Sequence, residues 1–493
     1  MKRNLLLIAI FAVMMAHAQD SLYKEQYRPQ FHFSPSINWT NDPNGLVYDN
    51  GVYHLFYQNN PYENKWGHMT WAHATSTDLV HWQHMPVAIK EENGIMIFSG
   101  TCVVDKNNTS GFGTAQNPPM VAIYTGSTDV LQTQNIAYST DNGTTWTKYA
   151  NNPVLNFNKK DFRDPKVFWH EPTKQWVMVV MYPVEHEVKF FNSKNLINWN
   201  LMSSFGPLGD TSSVWECPDL FQATVEGTNE KKWILTMSMA PYMQYFVGEF
   251  DGTTFTNENP PNKIFRPDYG GDYYAAIAYN QLPENETPVM IGWVNNWNYA
   301  NDIPTTPWKG AMSLPRNISL KKINGEWIMV QQPVKDLQQL RNSILQLDKY
   351  TVRNEKDAGF TGTQFEMQCT LALQSNAVAG IRLAYGNNQY CEIGYDAPAK
   401  KLYIDRSKIA NSDFNTKFKT LSRYETSLDM NENKIQLHIF FDNSIVEVFA
   451  NDGEVVLTAQ IFPAENQNQI KLFSENGKTD FINVHAWTMK SAW

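Results

Sequence analysis

Three carboxylates stand out because of what surrounds them. Asp42 lies in Trp39-Thr40-Asn41-Asp42-Pro43-Asn44-Gly45, Asp164 is flanked by Arg163 and Pro165, and Glu216 falls in Trp215-Glu216-Cys217-Pro218. Two carboxyl groups in unlike surroundings can divide the work of acetal cleavage. The ionised one faces the carbon on which oxocarbenium character develops, and the protonated one gives its proton to the departing oxygen. Asn41, Asn44 and nearby backbone N–H groups favour an ionised Asp42. Trp215 and Cys217-Pro218 give Glu216 a less polar setting, which favours the acid form. Arg163 is expected to hold Asp164 ionised and aimed at hydroxyl groups.

Residues so far apart in the chain can meet only if a regular architecture brings them together. Before about residue 340 the chain shows no helical periodicity. Short runs rich in Val, Ile, Tyr, Phe and Trp alternate with Asn-Gly, Asp-Gly and Pro turns, the pattern of an all-β protein. Five units begin at anchors 42, 99, 164, 216 and 272, spaced by 57, 65, 52 and 56 residues. Polar hairpins that end in Trp82, Trp146, Trp199 and Phe255 repeat at 64, 53 and 56. Two markers with one period predict a five-bladed β-propeller from Phe31 to Gln332, with four strands to a blade. Blades are related by rotation, so equivalent positions form a ring, and Asp42, Asp164 and Glu216 are expected around one central mouth. The competing reading, that each acid merely starts a turn, weakens when three fall in register.

Gln332 to Ser343 reads as a linker with a short helical tendency. The strands that follow, from FEMQCTLAL at Phe365 to VVLTAQIF at Val455, suffice for a two-sheet sandwich. The division expected is therefore a propeller over 19–340 and a β-sandwich over 341–493. At the N-terminus, Lys2 and Arg3 precede an apolar run from Leu5 to Met15 and the small-residue site Ala16-His17-Ala18, so residues 1–18 read as a cleavable export signal. The run is too short for a membrane span, and no cysteine follows it to carry a lipid, so no membrane anchor is expected. The formal charge of −9, with no cluster of Lys and Arg, argues against nucleic acid as a partner.

Cys102, Cys217, Cys369 and Cys391 form no CxxC pair and no disulfide framework, and they read as free buried thiols, with a Cys369–Cys391 bond as the alternative. His68, His73, His81 and His84 lack a helical HExxH context and read as ordinary β-residues. No metal and no cofactor is expected. The 16 Trp and 23 Tyr fit propeller core and sugar-stacking surfaces equally well.

The blocks WTNDPNG (39–45), Phe98-Ser99-Gly100, Arg163-Asp164-Pro165 and Trp215-Glu216-Cys217-Pro218 resemble, in this order, the conserved blocks of glycoside hydrolase family 32. Phe441 to Gly453 resembles that family's sandwich domain. The family includes invertases, inulinases and levanases. The resemblance implies a five-bladed propeller with an appended sandwich, and retaining cleavage of β-fructofuranosyl linkages in levan, inulin or sucrose. By matching motif, Asp42 is the nucleophile, Glu216 the acid/base, and Asp164 the group that binds fructose hydroxyls at the transition state. Asn41, Gln58, Trp66, Phe98, Ser99 and Arg163 then line a pocket for the terminal fructose, which implies exo action. Tyr274 and Trp293 match less specific blocks and fit a core role almost as well. Thr40 departs from the Met usual at its place, which leaves some fructosyl transfer open. The competing readings are an endo-levanase or fructosyltransferase of the same family, an arabinan-degrading enzyme on the same fold, and a non-catalytic fructan-binding propeller. Oligomeric state is not legible.

Overall fold

The computed structural model describes residues 22–493, and the export segment expected over 1–18 lies outside them. Alternating apolar residues and tight polar turns fold the first two thirds into five antiparallel sheets, the blades of a propeller. The innermost strands are Asn38–Asp49, Met96–Val104, Arg163–His170, Glu216–Thr224 and Tyr274–Ala278, each in contact with its neighbours around the ring. Asn50 and Gly51, both at positive φ, form the first hairpin turn as expected of Asn-Gly. The hairpin aromatics mark one structural place: Trp82, Trp146 and Trp199 immediately precede the outermost strands of their blades, and Phe255 begins one. The ring closes where Trp308–Lys309, from the fifth-blade excursion, pairs in parallel with Asn38 and Trp39.

One irregularity recurs in all five innermost strands. Thr40 pairs with Asn59 and Pro43 with Tyr57, three residues advancing against two; the same shift lies between Ile97 and Gly100, Arg163 and Lys166, Glu216 and Asp219, and Tyr274 and Ile277. This is a β-bulge, which turns side chains that the pleat would otherwise alternate. In blades three to five the first bulged residue is in the left-handed region although it is not glycine: Asp164 (φ 64°), Cys217 (φ 47°) and Ala275 (φ 53°). Such strained positions are held by their surroundings and cluster at functional sites. The freed amides stitch the ring. Asp164 N donates to Thr125 Oγ1 (2.9 Å), Cys217 N to Asp164 Oδ2 (3.0 Å) and Ala275 N to Ser238 Oγ (3.0 Å), each on the preceding blade.

The bulges correct the expected equivalence of the anchors. Asp42 is equivalent to Ser99 and Pro165, Asp164 to Asn41 and Cys217, and Glu216 to Arg163 and Tyr274. The three acids still meet, because a bulge lets adjacent residues of one strand face the same mouth. The fifth anchor does not join them. Asp272 is fully buried at the junction with the second domain, where its Oδ2 accepts from Arg406 Nη1 at 2.7 Å. The neighbouring Gly270 and Gly271 permit that junction, since a Cβ on them would meet Thr458 O at 2.0 Å and the Tyr424 ring at 2.1 Å.

The linker holds a 3₁₀ turn, Lys335–Leu340, and the second domain is the expected β-sandwich. Two strands there escaped the sequence reading, Arg341–Thr361 and Gln469–Met489, which pair along most of their length. A large apolar cluster fills the sandwich, and Phe440, Phe449 and Val456 pack with Phe31, Phe33 and Val334 of the propeller side. All four cysteines are buried free thiols. Among the described residues, no helix is long and apolar enough to cross a membrane.

Candidate active site

At the propeller mouth a cavity of about 310 Å³ is lined by Asn41, Asp42, Gln58, Trp66, Phe98, Ser99, Arg163, Asp164 and Glu216, together with Met69, Gln132 and Trp297. Each of the first three blades contributes bulge residues, and the fourth contributes Glu216. Beneath this cavity, between Ser99, Asp164, Lys166 and Cys217, only a void of about 10 Å³ remains. Lys166 Nζ lies 3.1 Å from Asp219 Oδ1 and donates to Ala278 O at 2.7 Å, both groups buried. The cavity is therefore a dead end.

Asp42 is held from two sides. Its Oδ2 accepts from Ser99 Oγ at 2.6 Å and its Oδ1 from Asn41 Nδ2 at 3.0 Å. Asn41 is itself oriented by Trp39 Nε1, which donates to its Oδ1 at 2.7 Å, and Cys217 Sγ lies 3.4 Å from Asp42 Oδ2. Asp164 Oδ2 accepts from Cys217 N and lies 3.9 Å from Arg163 Nε. Glu216 is the most exposed of the three acids. Its Oε1 is 3.2 Å from both Nε and Nη2 of Arg163, and its Oε2 accepts from Tyr274 OH at 2.5 Å. Arg163 Nη1 is fixed by Gln132 Oε1 (3.2 Å) and Asp161 Oδ1 (2.8 Å).

This geometry changes the expected electrostatics in three ways. Burial raises the Asp42 carboxyl above its ordinary value; the bonds from Ser99 and Asn41 oppose this, and the charge of Glu216 adds to it. The hydrogen bonds foreseen are present, but losing water outweighs them. Asp164 is pushed up to about 7, first by burial and then by Glu216 and Asp42, against the pull of Arg163. One guanidinium does not offset two neighbouring carboxylates out of water. The apolar setting foreseen for Glu216 is absent, because strand neighbours point to opposite faces. Trp215 is buried between blades three and four, while the Glu216 carboxyl meets a cation and a phenol.

Of the two residues read as nearly as well suited to the core, Tyr274 reaches the site through its hydroxyl. Trp293 does not line the cavity; it is fully buried against Trp297, with ring centroids 4.8 Å apart. Thr40 is turned away from the cavity, its Oγ1 donating to Gln58 O at 2.9 Å. Sequence reasoning missed Met69, Gln132 and Trp297. Trp297, in the Asn-rich NNWNYAND segment after IGWV, carried a detectable sign: a tryptophan in a polar loop on the mouth side. Gln132 and Met69 carried none.

Residues 32–333 match the Glycosyl hydrolases family 32 N-terminal domain, and residues 336–488 match the family 32 C-terminal domain. The chain belongs to glycoside hydrolase family 32. It is a glycosidase. It is 44% identical to a levanase of Bacillus subtilis over an alignment covering 100% of this chain and 76% of that protein. It is 39% identical to the extracellular exo-inulinase of Aspergillus niger, with 97% of each chain covered. Among solved structures, the exo-inulinase of Aspergillus awamori superposes with a TM-score of 0.91 at 38% identity, covering 96% of this chain and 100% of that one. A β-fructofuranosidase of Schwanniomyces occidentalis, complexed with fructosyl-erythritol, follows at 0.84 and 32%, covering 96% and 98%.

Proposed function

We propose that this family 32 glycosidase is a retaining β-fructosidase that removes terminal fructose from levan, inulin or sucrose. The observation that carries this reading is the single pocket lined by Asp42, Asp164 and Glu216, with Arg163 between Asp164 and Glu216. In the proposed cycle Asp42 attacks the anomeric carbon while Glu216 gives its proton to the leaving oxygen, and a fructosyl ester forms on Asp42. Burial helps here: an anion poorly compensated in the free enzyme gains most when positive character develops in front of it. Glu216 then takes a proton from water as the ester is hydrolysed. Arg163 and Tyr274, which both donate to it, hold its carboxylate in place at that stage. Asp164, with Arg163 alongside, binds the hydroxyls of the fructose unit. The relatives above, a levanase and an exo-inulinase, support the substrate class.

A pocket closed beneath by Lys166 and Asp219 supports exo action, because a chain cannot continue through it. Residues 1–18 are read as an export signal, supported by the basic start and apolar run and by the extracellular relative. The test is an early product time course on levan and inulin, with the anomer followed by proton NMR. Fructose is expected first, as the β-anomer. An initial α-product overturns retention, and a ladder of oligosaccharides ahead of fructose overturns exo action.

A further inference from the structure

Exposed apolar groups stand on the loops beside the pocket, where blades one and two meet. Trp66 lines the cavity and is 41% exposed; Tyr62, four residues earlier in the same loop, is 74% exposed, and Ile95 on the next blade's approach is 40% exposed. Isolated exposed apolar residues are ordinary, but these stand on a braced surface. The loop is fastened to the first innermost strand by Asn38 Nδ2 donating to Pro61 O (2.8 Å), and to the fifth blade by Trp66 N donating to Asn301 Oδ1 (3.0 Å). Ile97 N donates to Met69 O (2.9 Å), and His68 Nδ1 lies 2.8 Å from Glu91 Oε2, so the two blades' loops form one shelf. The Tyr62 ring stands edge-on to the His68 ring at 5.3 Å and 89°, as Trp66 does to Phe98 at 6.2 Å and 68°. The loop that brings Trp66 to the pocket thus also carries, four residues earlier, an exposed Tyr62 fixed against His68.

We propose that Tyr62, braced by His68 and Glu91, is an outer leaving-group subsite that binds the sugars following the terminal fructose, and that it makes the enzyme favour fructan chains over the disaccharide sucrose. This rests on the reading of the pocket as the site of a terminal fructose. A flat aromatic surface covers the C–H face of a sugar ring, and Glu91 at its edge accepts from a hydroxyl. Such a contact acts on binding of the longer chain before and during reaction alike, so it lowers KM and leaves kcat nearly unchanged.

The test compares wild type, Tyr62→Ala, Tyr62→Phe and His68→Ala on sucrose and on inulin- and levan-type oligosaccharides of about five sugars. Tyr62→Ala is expected to raise KM for the oligosaccharides about three- to tenfold, with kcat and all sucrose parameters close to wild type. Tyr62→Phe retains the ring and is expected to behave as wild type, and His68→Ala to fall between. Equal losses on sucrose and oligosaccharides, or no loss on either, overturn the subsite while leaving the β-fructosidase reading intact. A wild type that releases no fructose from any of these substrates overturns that reading and the subsite with it.

Discussion

The propeller mouth and the junction between the two domains both bury charge, and they treat it in opposite ways. At the junction every buried ionic group has close partners. Arg316 reaches Asp268, Glu447 and Thr458, Arg406 reaches Asp272, Tyr299 and Tyr424, and His32 lies between Asp442 and Glu447. Burial would raise the Glu447 carboxyl, but Arg316 and His32 hold it below its ordinary value. His32 is raised to about 9 by its two acids against its own burial, and Asp268 is left raised, its burial outweighing Arg316. At the mouth Asp164 and Glu216 share Arg163 while Asp42 has no cation beside it, and burial raises both Asp42 and Asp164. Matched buried charge joins two surfaces in one orientation. Unmatched buried charge, facing a cavity, is held ready for a substrate that completes it.

If that contrast is right, substitutions in the two regions should separate activity from stability. The largest effect is expected from Asp42→Asn, which removes the attacking oxygen: kcat/KM should fall by more than about 10⁴-fold. Its thermal midpoint should stay level or rise, because a poorly compensated buried acid has gone. A fall in midpoint would show that Asp42 is a structural residue. Arg406→Met should do the reverse. Leaving Asp272 buried without its cation is expected to cost about 3–5 kcal/mol of stability, read as a lower urea midpoint, with turnover per folded molecule at low temperature within about threefold of wild type.

The smallest effect is one of pH. The folded-state value of Asp164, about 7, lies above that of an unfolded aspartate, so the folded form binds the extra proton between the two. The stability due to this group is complete below the unfolded value and is lost as pH rises through about 7. Asp164→Asn cannot titrate. It should therefore show a shallower decline of thermal midpoint between about pH 4 and pH 7 than wild type. Parallel profiles would mean that Asp164 is better compensated than its burial implies.

Much of this was legible in the chain because a propeller is a local repeat. Each blade forms from residues close in sequence, so the period of strands and hairpin aromatics reports the architecture directly, as Trp82, Trp146, Trp199 and Phe255 do. The motif blocks identified the three acids for the same reason: each lies in the first half of one innermost strand, inside a short contiguous block. The long strands Arg341–Thr361 and Gln469–Met489 were not legible, since they lie far apart in the chain, and charged residues along the first hide its pairing face.

What the sequence determined by itself was the set of groups brought to the mouth, the blade count and the β-sandwich that follows. Only the tertiary structure decided their electrostatic state and their exact neighbours. A bulge of one residue moves a side chain from one face to another without a mark in composition, which is why Asp42, Asp164 and Glu216 occupy three different bulge positions. Burial depends on what other blades and the second domain lay over a residue. That is why Asp164 is raised despite Arg163, why Glu216 meets Tyr274 and not Trp215, and why Asp272 joins two domains instead of the ring.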